Sequence, residues 1–237
     1  MKRALSVALL FYLLAGWAAA PARPAQAPTL TLNDVLAGMD KAAQGFESVV
    51  ADLVYTKVTV IVDDKSVEKG LIYFKRTKGR RDFKVKIDIR EPSQKLVLFT
   101  GDKGYIYRPA IKQVEEYELG KNKQALEQFL LLGFGTSGRE LQNAYSVTLI
   151  GPARLGDADT VKLELVPKST ALGHHIKKVE LWLSKKTWQP VQQVFTEPSG
   201  DYLIAQYSSA KINGTVSDDQ FKLKLPGNVK RIRPQTG

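Results

Sequence analysis

Between Gly70 and Leu119 the chain repeats one pattern: short runs of aromatic and β-branched residues, cut by turn signals. The turns fall at Lys78-Gly79, Glu91-Pro92-Ser93, Gly101-Asp102-Lys103-Gly104 and Arg108-Pro109. Such runs read as antiparallel strands joined by tight turns. Phe83, Val85, Ile87 and Ile89 alternate with Lys84, Lys86, Asp88 and Arg90. That alternation gives a strand one buried face and one wet face. Nothing in the stretch gathers the groups of a catalytic site. A long apolar sheet face needs a cover, and what covers it bears on function.

On either side of this meander the period changes. Leu32, Val35, Leu36, Met39, Ala42 and Ala43 recur at helical spacing, with Thr31 or Asn33 as cap, Asp34 in the first turn and Gly45 at the end. A long strand over Glu47–Asp63 and a return over Val67–Lys75 follow. A second helical stripe, Leu126, Phe129, Leu130 and Leu132, lies in Lys123–Leu132, and a short helical turn is expected over Ser137–Asn143 with Ser137 as cap. Further strands are expected at Tyr145–Ile150, Thr160–Val166, Ile176–Ser184, Pro190–Thr196 and Tyr202–Ile212, with short closing strands at Phe221–Leu225 and Val229–Ile232. The count is about eleven to thirteen strands and two or three helices. The class is α+β, with helices packed on one face of a long antiparallel sheet. No internal repeat or domain linker is visible.

The N-terminus stands apart. Lys2 and Arg3 precede an apolar run, Ala4–Ala20, and small residues offer cleavage sites between 20 and 27. Residues 1–27 read as a secretory signal peptide, leaving residues 28–237 as one domain. The competing reading is an uncleaved anchor. The run is near the lower limit for a span, roughly 17 residues, and it ends in small residues rather than charges, which favours cleavage. The chain of 237 residues has no cysteine. That excludes disulfides, thiolate metal sites, a cysteine nucleophile and a lipid-modified N-terminal cysteine. The net charge is +11, of which Lys2, Arg3 and Arg23 belong to the leader region, leaving +8. Export argues against nucleic acid as the partner of so basic a chain. Transient contact with anionic headgroups at a membrane surface, or a merely solvated basic surface, fits better.

Little else suggests chemistry. His174-His175 is the only histidine pair, and neighbours along a strand point to opposite faces, so a loop or strand edge explains it better than a metal. Gly133-Phe134-Gly135 with Gly138 is a glycine-rich loop without a phosphate-binding fingerprint. Lys75-Arg76, Lys78 and Arg80-Arg81 form a basic turn, in which the Arg76 fork can reach helix or loop carbonyls. No cofactor is implied.

The order of several short motifs resembles the periplasmic outer-membrane lipoprotein carrier family, LolA-like proteins. After the leader and first helix come Phe46, then Gly70-Leu71-Ile72-Tyr73-Phe74-Lys75-Arg76, Glu91-Pro92, Gly101-Asp102-Lys103 with Tyr105 and Tyr107, Gln113-Val114, and Phe221-Lys222-Leu223-Lys224-Leu225-Pro226-Gly227. The resemblance implies an incomplete antiparallel β-barrel of about eleven strands, closed on one side by helices that act as a lid. It implies a non-enzymatic, soluble periplasmic carrier that holds lipoprotein acyl chains and shuttles them toward the outer membrane. Its partners would be an inner-membrane ABC transporter and an outer-membrane receptor. Arg76 matches the arginine that latches the lid. Expected cavity residues are Phe83, Val85, Ile87, Leu96, Leu98, Tyr105 and Tyr107 from the sheet, and Leu36, Met39, Phe129 and Leu130 from the helices. Thr77 stands where the family commonly has proline, and the turn Lys78–Arg81 is more basic. A carrier or sensor of another envelope lipid, a phospholipid or glycolipid, would show the same pattern. A hydrolase would need a nucleophile and base that the sequence does not offer.

Overall fold

A computed structural model describes residues 30–77, 83–120 and 132–234. Twelve strands form one sheet in the order β12-β6-β5-β4-β3-β2-β1-β11-β10-β9-β8-β7. The strands are β1 (Ser48–Thr59), β2 (Asp64–Arg76), β3 (Phe83–Glu91), β4 (Lys95–Thr100), β5 (Lys103–Arg108), β6 (Gln113–Glu118), β7 (Tyr145–Leu155), β8 (Ala158–Pro167), β9 (Lys178–Ser184), β10 (Pro190–Thr196), β11 (Tyr202–Ile212) and β12 (Lys230–Ile232). All pairs are antiparallel except β12 with β6. The sheet does not close, because β12 and β7 are its two edges. The helices are α1 (Leu32–Gln44), α2 (Gly138–Ala144) and α3 (Thr170–Gly173). The architecture is the α+β arrangement that the pattern predicts, with helices on one side, and the open half-barrel that the resemblance implies.

Two predicted elements take another form, and a third is not described. The apolar residues Val60–Val62 leave the strand as a 3-10 turn, ended by Asp63 at φ 49. Phe221 closes a 3-10 turn, Asp218–Phe221, and the expected strand at Phe221–Leu225 does not form. The predicted helix at Lys123–Leu132 lies outside the described residues except for Leu132.

Helix starts follow the local chemistry. Thr31 caps α1 and Asp34 reciprocates, and Ser137 and Glu140 do the same for α2. Each pair satisfies two orphan amides at once. The α1 stripe buries Val35, Leu36 and Met39. It packs with Leu141, Leu163, Leu181 and Phe195 over the β7–β10 half of the sheet. α2 lies close beneath: a Cβ on Gly138 would sit 2.7 Å from the Leu36 carbonyl oxygen.

Register assigns every strand residue to a face, since directly opposed residues share one. Val85 opposes Phe74, which opposes Val49; Ile87 opposes Ile72, which opposes Ala51. These belong to the inner face, the side covered by α1. Across β4 the inner set continues with Val97 and Phe99. It turns polar at β6, where Gln113, Glu115 and Tyr117 oppose Arg108, Ile106 and Gly104. The outer face is largely charged, with the pairs Lys162–Glu180 and Lys178–Glu164. An apolar patch on it, Leu98 with Tyr73 and Tyr105, is covered by Val216, Phe221 and Leu223 of the C-terminal segment.

Candidate functional site: a latched loop over the inner face

The centre of the inner face is an aromatic pile. Phe46, in the turn between α1 and β1, stacks on Phe74 at 5.4 Å between centroids and on Phe134 at 6.5 Å. Phe74 stacks in turn on Phe83 at 6.2 Å. Phe134 meets Tyr207 edge-on at 4.9 Å. With Val49, Leu53, Ile72, Val85, Ile87 and Ala205, these residues form one buried cluster. Rings of this size contribute the largest apolar areas a side chain can offer.

Phe134 belongs to the loop 132–137, which crosses the face just after residues 121–131. Polar side chains hold the loop from beneath. Arg76 Nη2 donates to the Gly135 carbonyl at 2.7 Å. The Gly135 amide donates to Gln189 Oε1 at 3.3 Å. Gln193 Nε2 donates to the Leu132 carbonyl, and Tyr207 donates its hydroxyl to Gln193 Oε1 at 2.8 Å. Burial, and secondarily the neighbouring Tyr55, push the Tyr207 phenol well above its usual 10, so it remains a donor. Gly135 is required where it stands. Its φ is +61, and a Cβ there would lie 2.2 Å from the Phe46 ring. The Arg76 guanidinium carbon also sits 5.9 Å from the Phe46 ring centroid, so one arginine grips the loop and caps the pile.

Beside this latch a cleft of about 570 Å³ opens, lined by Phe46, Ser48, Lys75, Arg76, Asn213 and Val216 among others. Asn213 pins its floor: Oδ1 accepts from the Glu47 amide at 2.8 Å, and Nδ2 donates to the Gly45 carbonyl at 2.6 Å. The C-terminal segment leaves from here to the outer face. Lys75 and Lys84 both bind Asp218 there, each at 3.1 Å.

The sequence-predicted cavity residues do not share one space. Phe83, Val85 and Ile87 lie together in the aromatic cluster. Leu36 and Met39 are buried with α1 on the other half of the sheet. Leu96, Leu98, Tyr105 and Tyr107 face the opposite side: Leu96 and Leu98 oppose Asp88 and Lys86 on one strand, and Tyr107 and Tyr105 on the next. They stand on the outer face rather than on the expected cavity wall. The run Leu96-Val97-Leu98-Phe99 is apolar throughout, so alternation could not choose a face. Phe129 and Leu130 lie outside the described residues. Arg76 sits where the resemblance predicts a latch, and its partner is a loop carbonyl. Sequence reading missed Phe134, Gln189, Gln193 and Tyr207 as holders of the loop. The available signal was Gln193 two residues before Phe195, a polar residue on the inward face of its strand.

Other sites are weaker. His174 and His175 follow α3 and line a surface cleft with Leu172, Ile176, Glu197, Pro198 and Ser199. Among the described residues, no three His, Cys, Asp or Glu side chains gather as a metal site. No helix among them is long and apolar enough to cross a membrane.

An open antiparallel sheet with helices and a tethered loop over its apolar face defines a half-barrel class. Within that class the family model described as outer membrane lipoprotein carrier protein LolA matches residues 57–224. The chain belongs to this family. No curated protein matches it. Among solved structures, MucB superposes with a TM-score of 0.52 at 16% identity, covering 81% of this chain and 62% of MucB. This chain therefore spans less than two thirds of that protein. An uncharacterised conserved protein from Thermus thermophilus gives 0.51 at 14% identity, covering 85% of this chain and 98% of the other. A LolA superfamily protein from Nitrosomonas europaea gives 0.39 at 14% identity, covering 82% and 98%.

Proposed function

We propose that the protein is a periplasmic carrier that holds acyl chains of lipoproteins against its inner face and hands them on toward the outer membrane. The observation that carries this reading is the tethered loop: Phe134 lies on the aromatic pile while Arg76, Gln189 and Gln193 hold its backbone. Releasing the loop lifts one ring from Phe46 and Tyr207 and offers an apolar surface to an acyl chain. Each methylene removed from water contributes about 0.8 kcal/mol, so a chain of ordinary length gains enough to displace the loop. The loop in turn recovers its aromatic and hydrogen-bond contacts when the chain leaves. Such an exchange needs no nucleophile, metal or cofactor.

Export by the signal peptide of residues 1–27, with residues 28–237 as the working domain, places the carrier in the periplasm. Loading from an inner-membrane ABC transporter and release to an outer-membrane receptor complete the route. The test is a fluorescent acyl probe and two variants. Phe83→Glu should abolish probe binding with the fold retained by circular dichroism, while Phe134→Ala should retain or strengthen binding by vacating the face. Unchanged binding in a folded Phe83→Glu protein would refute the reading.

A further inference from the structure

The β1–β2 hairpin overshoots its neighbour. β3 ends at Glu91, opposite Lys69, whereas β2 starts at Asp64, paired with Thr59. The hairpin therefore projects about 16 Å past β3 at 3.3 Å per residue. It is braced on the other flank. β11 follows β1 as far as Tyr202 opposite Val58, and the Val60 amide donates to Asp201 Oδ1 at 2.9 Å.

The crown of this rigid projection is apolar. Val60, Ile61 and Val62 are 54%, 91% and 68% exposed, and Val67 behind them is 37% exposed. A second turn, Pro109–Ile111, closes β5 and β6, and Ile111 is also largely exposed. β1 and β5 run in the same direction, as alternate antiparallel strands must, so both turns crown the same end of the sheet. Exposed lysines flank them: Lys57 and Lys65 at the first, and Lys112 and Lys230 at the second, where the Lys230 amide donates to the Lys112 carbonyl. Asp63 and Asp64 balance the first pair of lysines.

Exposed aliphatic residues on a braced tip point to a partner surface. Protein interfaces are anchored by aromatic, methionine and arginine side chains seated in pockets. This crown has β-branched aliphatics and lysines instead, the pairing that suits a bilayer interface, where apolar groups enter the headgroup boundary and lysines meet anionic lipid. We propose that this end of the sheet docks on anionic lipid bilayers, with Ile61 and its neighbours inserted. The proposal does not depend on what the inner face carries.

The chain lacks cysteine, so Ile61→Cys gives a unique site for an environment-sensitive fluorophore. Vesicles of phosphatidylethanolamine and phosphatidylglycerol should shift that label to the blue, and brominated acyl chains should quench it. The same label at Asp157→Cys, in the β7–β8 turn at the opposite end, should not respond. Ile61→Asp should lower the vesicle-bound fraction at least tenfold while acyl-probe binding in solution is retained. A label at 61 that stays aqueous with vesicles, or an Ile61→Asp protein that binds them as well as the parent, would overturn the proposal. So would a blue shift that appears only with a partner protein and never with vesicles.

Discussion

Arg76 ends β2 beside the aromatic pile and holds the loop that covers it. Its guanidinium reaches the Gly135 carbonyl at 2.7 Å, and a charged donor to a carbonyl is worth about 1.5–3 kcal/mol net. That is enough to hold a loop shut and little enough for buried methylenes to outweigh. Replacing Arg76 by Leu should raise hydrogen exchange at the Gly135 amide roughly ten- to a hundredfold without shifting exchange in β8 and β9. Arg76→Lys should fall between, because the ammonium lacks the planar fork. Equal exchange in the parent and Arg76→Leu proteins would remove the arginine from the latch. That the Arg76 fork can reach a loop carbonyl was legible in the sequence, because it follows Tyr73-Phe74 at a strand end. Its partner was not. Gly135 lies 59 residues away, and only tertiary packing brings its carbonyl to the guanidinium.

At the scale of elements, the C-terminal segment works as a strap from the latch cleft to the outer face of β3 and β4. Asn213 fixes one end at the turn between α1 and β1, and Asp218 fixes the other against Lys75 and Lys84. Hydrogen bonds from Lys75 and then Lys84 hold the Asp218 carboxyl below its ordinary 3.8. A lowered native pKa means that the contact stabilises the fold above that ordinary value and is lost as pH falls through the native one. Amide protection over residues 216–222 should therefore weaken below about pH 3.8, and Asp218→Asn should reduce that dependence to what the Asp219–Lys222 pair contributes. A wild-type strap insensitive to pH across that range would deny the ion pairs a role. The strap also explains where pattern reading failed. Phe221 and Leu223 looked like strand residues because they alternate with lysines, yet they cover Leu98 and Tyr105. Alternation reports a half-buried segment; it does not report whether hydrogen-bonding partners exist on both sides. Where alternation was strict, as in β3, strand and face were both correctly legible, and β10 and β11 match their predicted bounds.

The whole molecule joins two unlike halves on one sheet. The β7–β10 half is filled by α1 and α2 and reads as scaffold. The β1–β3 half is roofed by Phe46 and Phe134, the latter on a loop held by hydrogen bonds. The proposed exchange therefore needs movement in the β1–β3 half alone, with the β7–β10 half left packed. That division could not be read from the sequence, because the rings that set the β1–β3 half apart, Phe46, Phe74, Phe83, Phe134 and Tyr207, come from separate segments that only the fold brings together. In the proposed function the roofed half takes acyl chains. Native mass spectrometry of the protein purified gently from its own periplasm tests it most directly. An acylated protein, or its lipid-modified peptide, should co-purify with the parent and be absent from a folded Phe83→Glu variant. Cargo that stays bound to that variant would contradict the account.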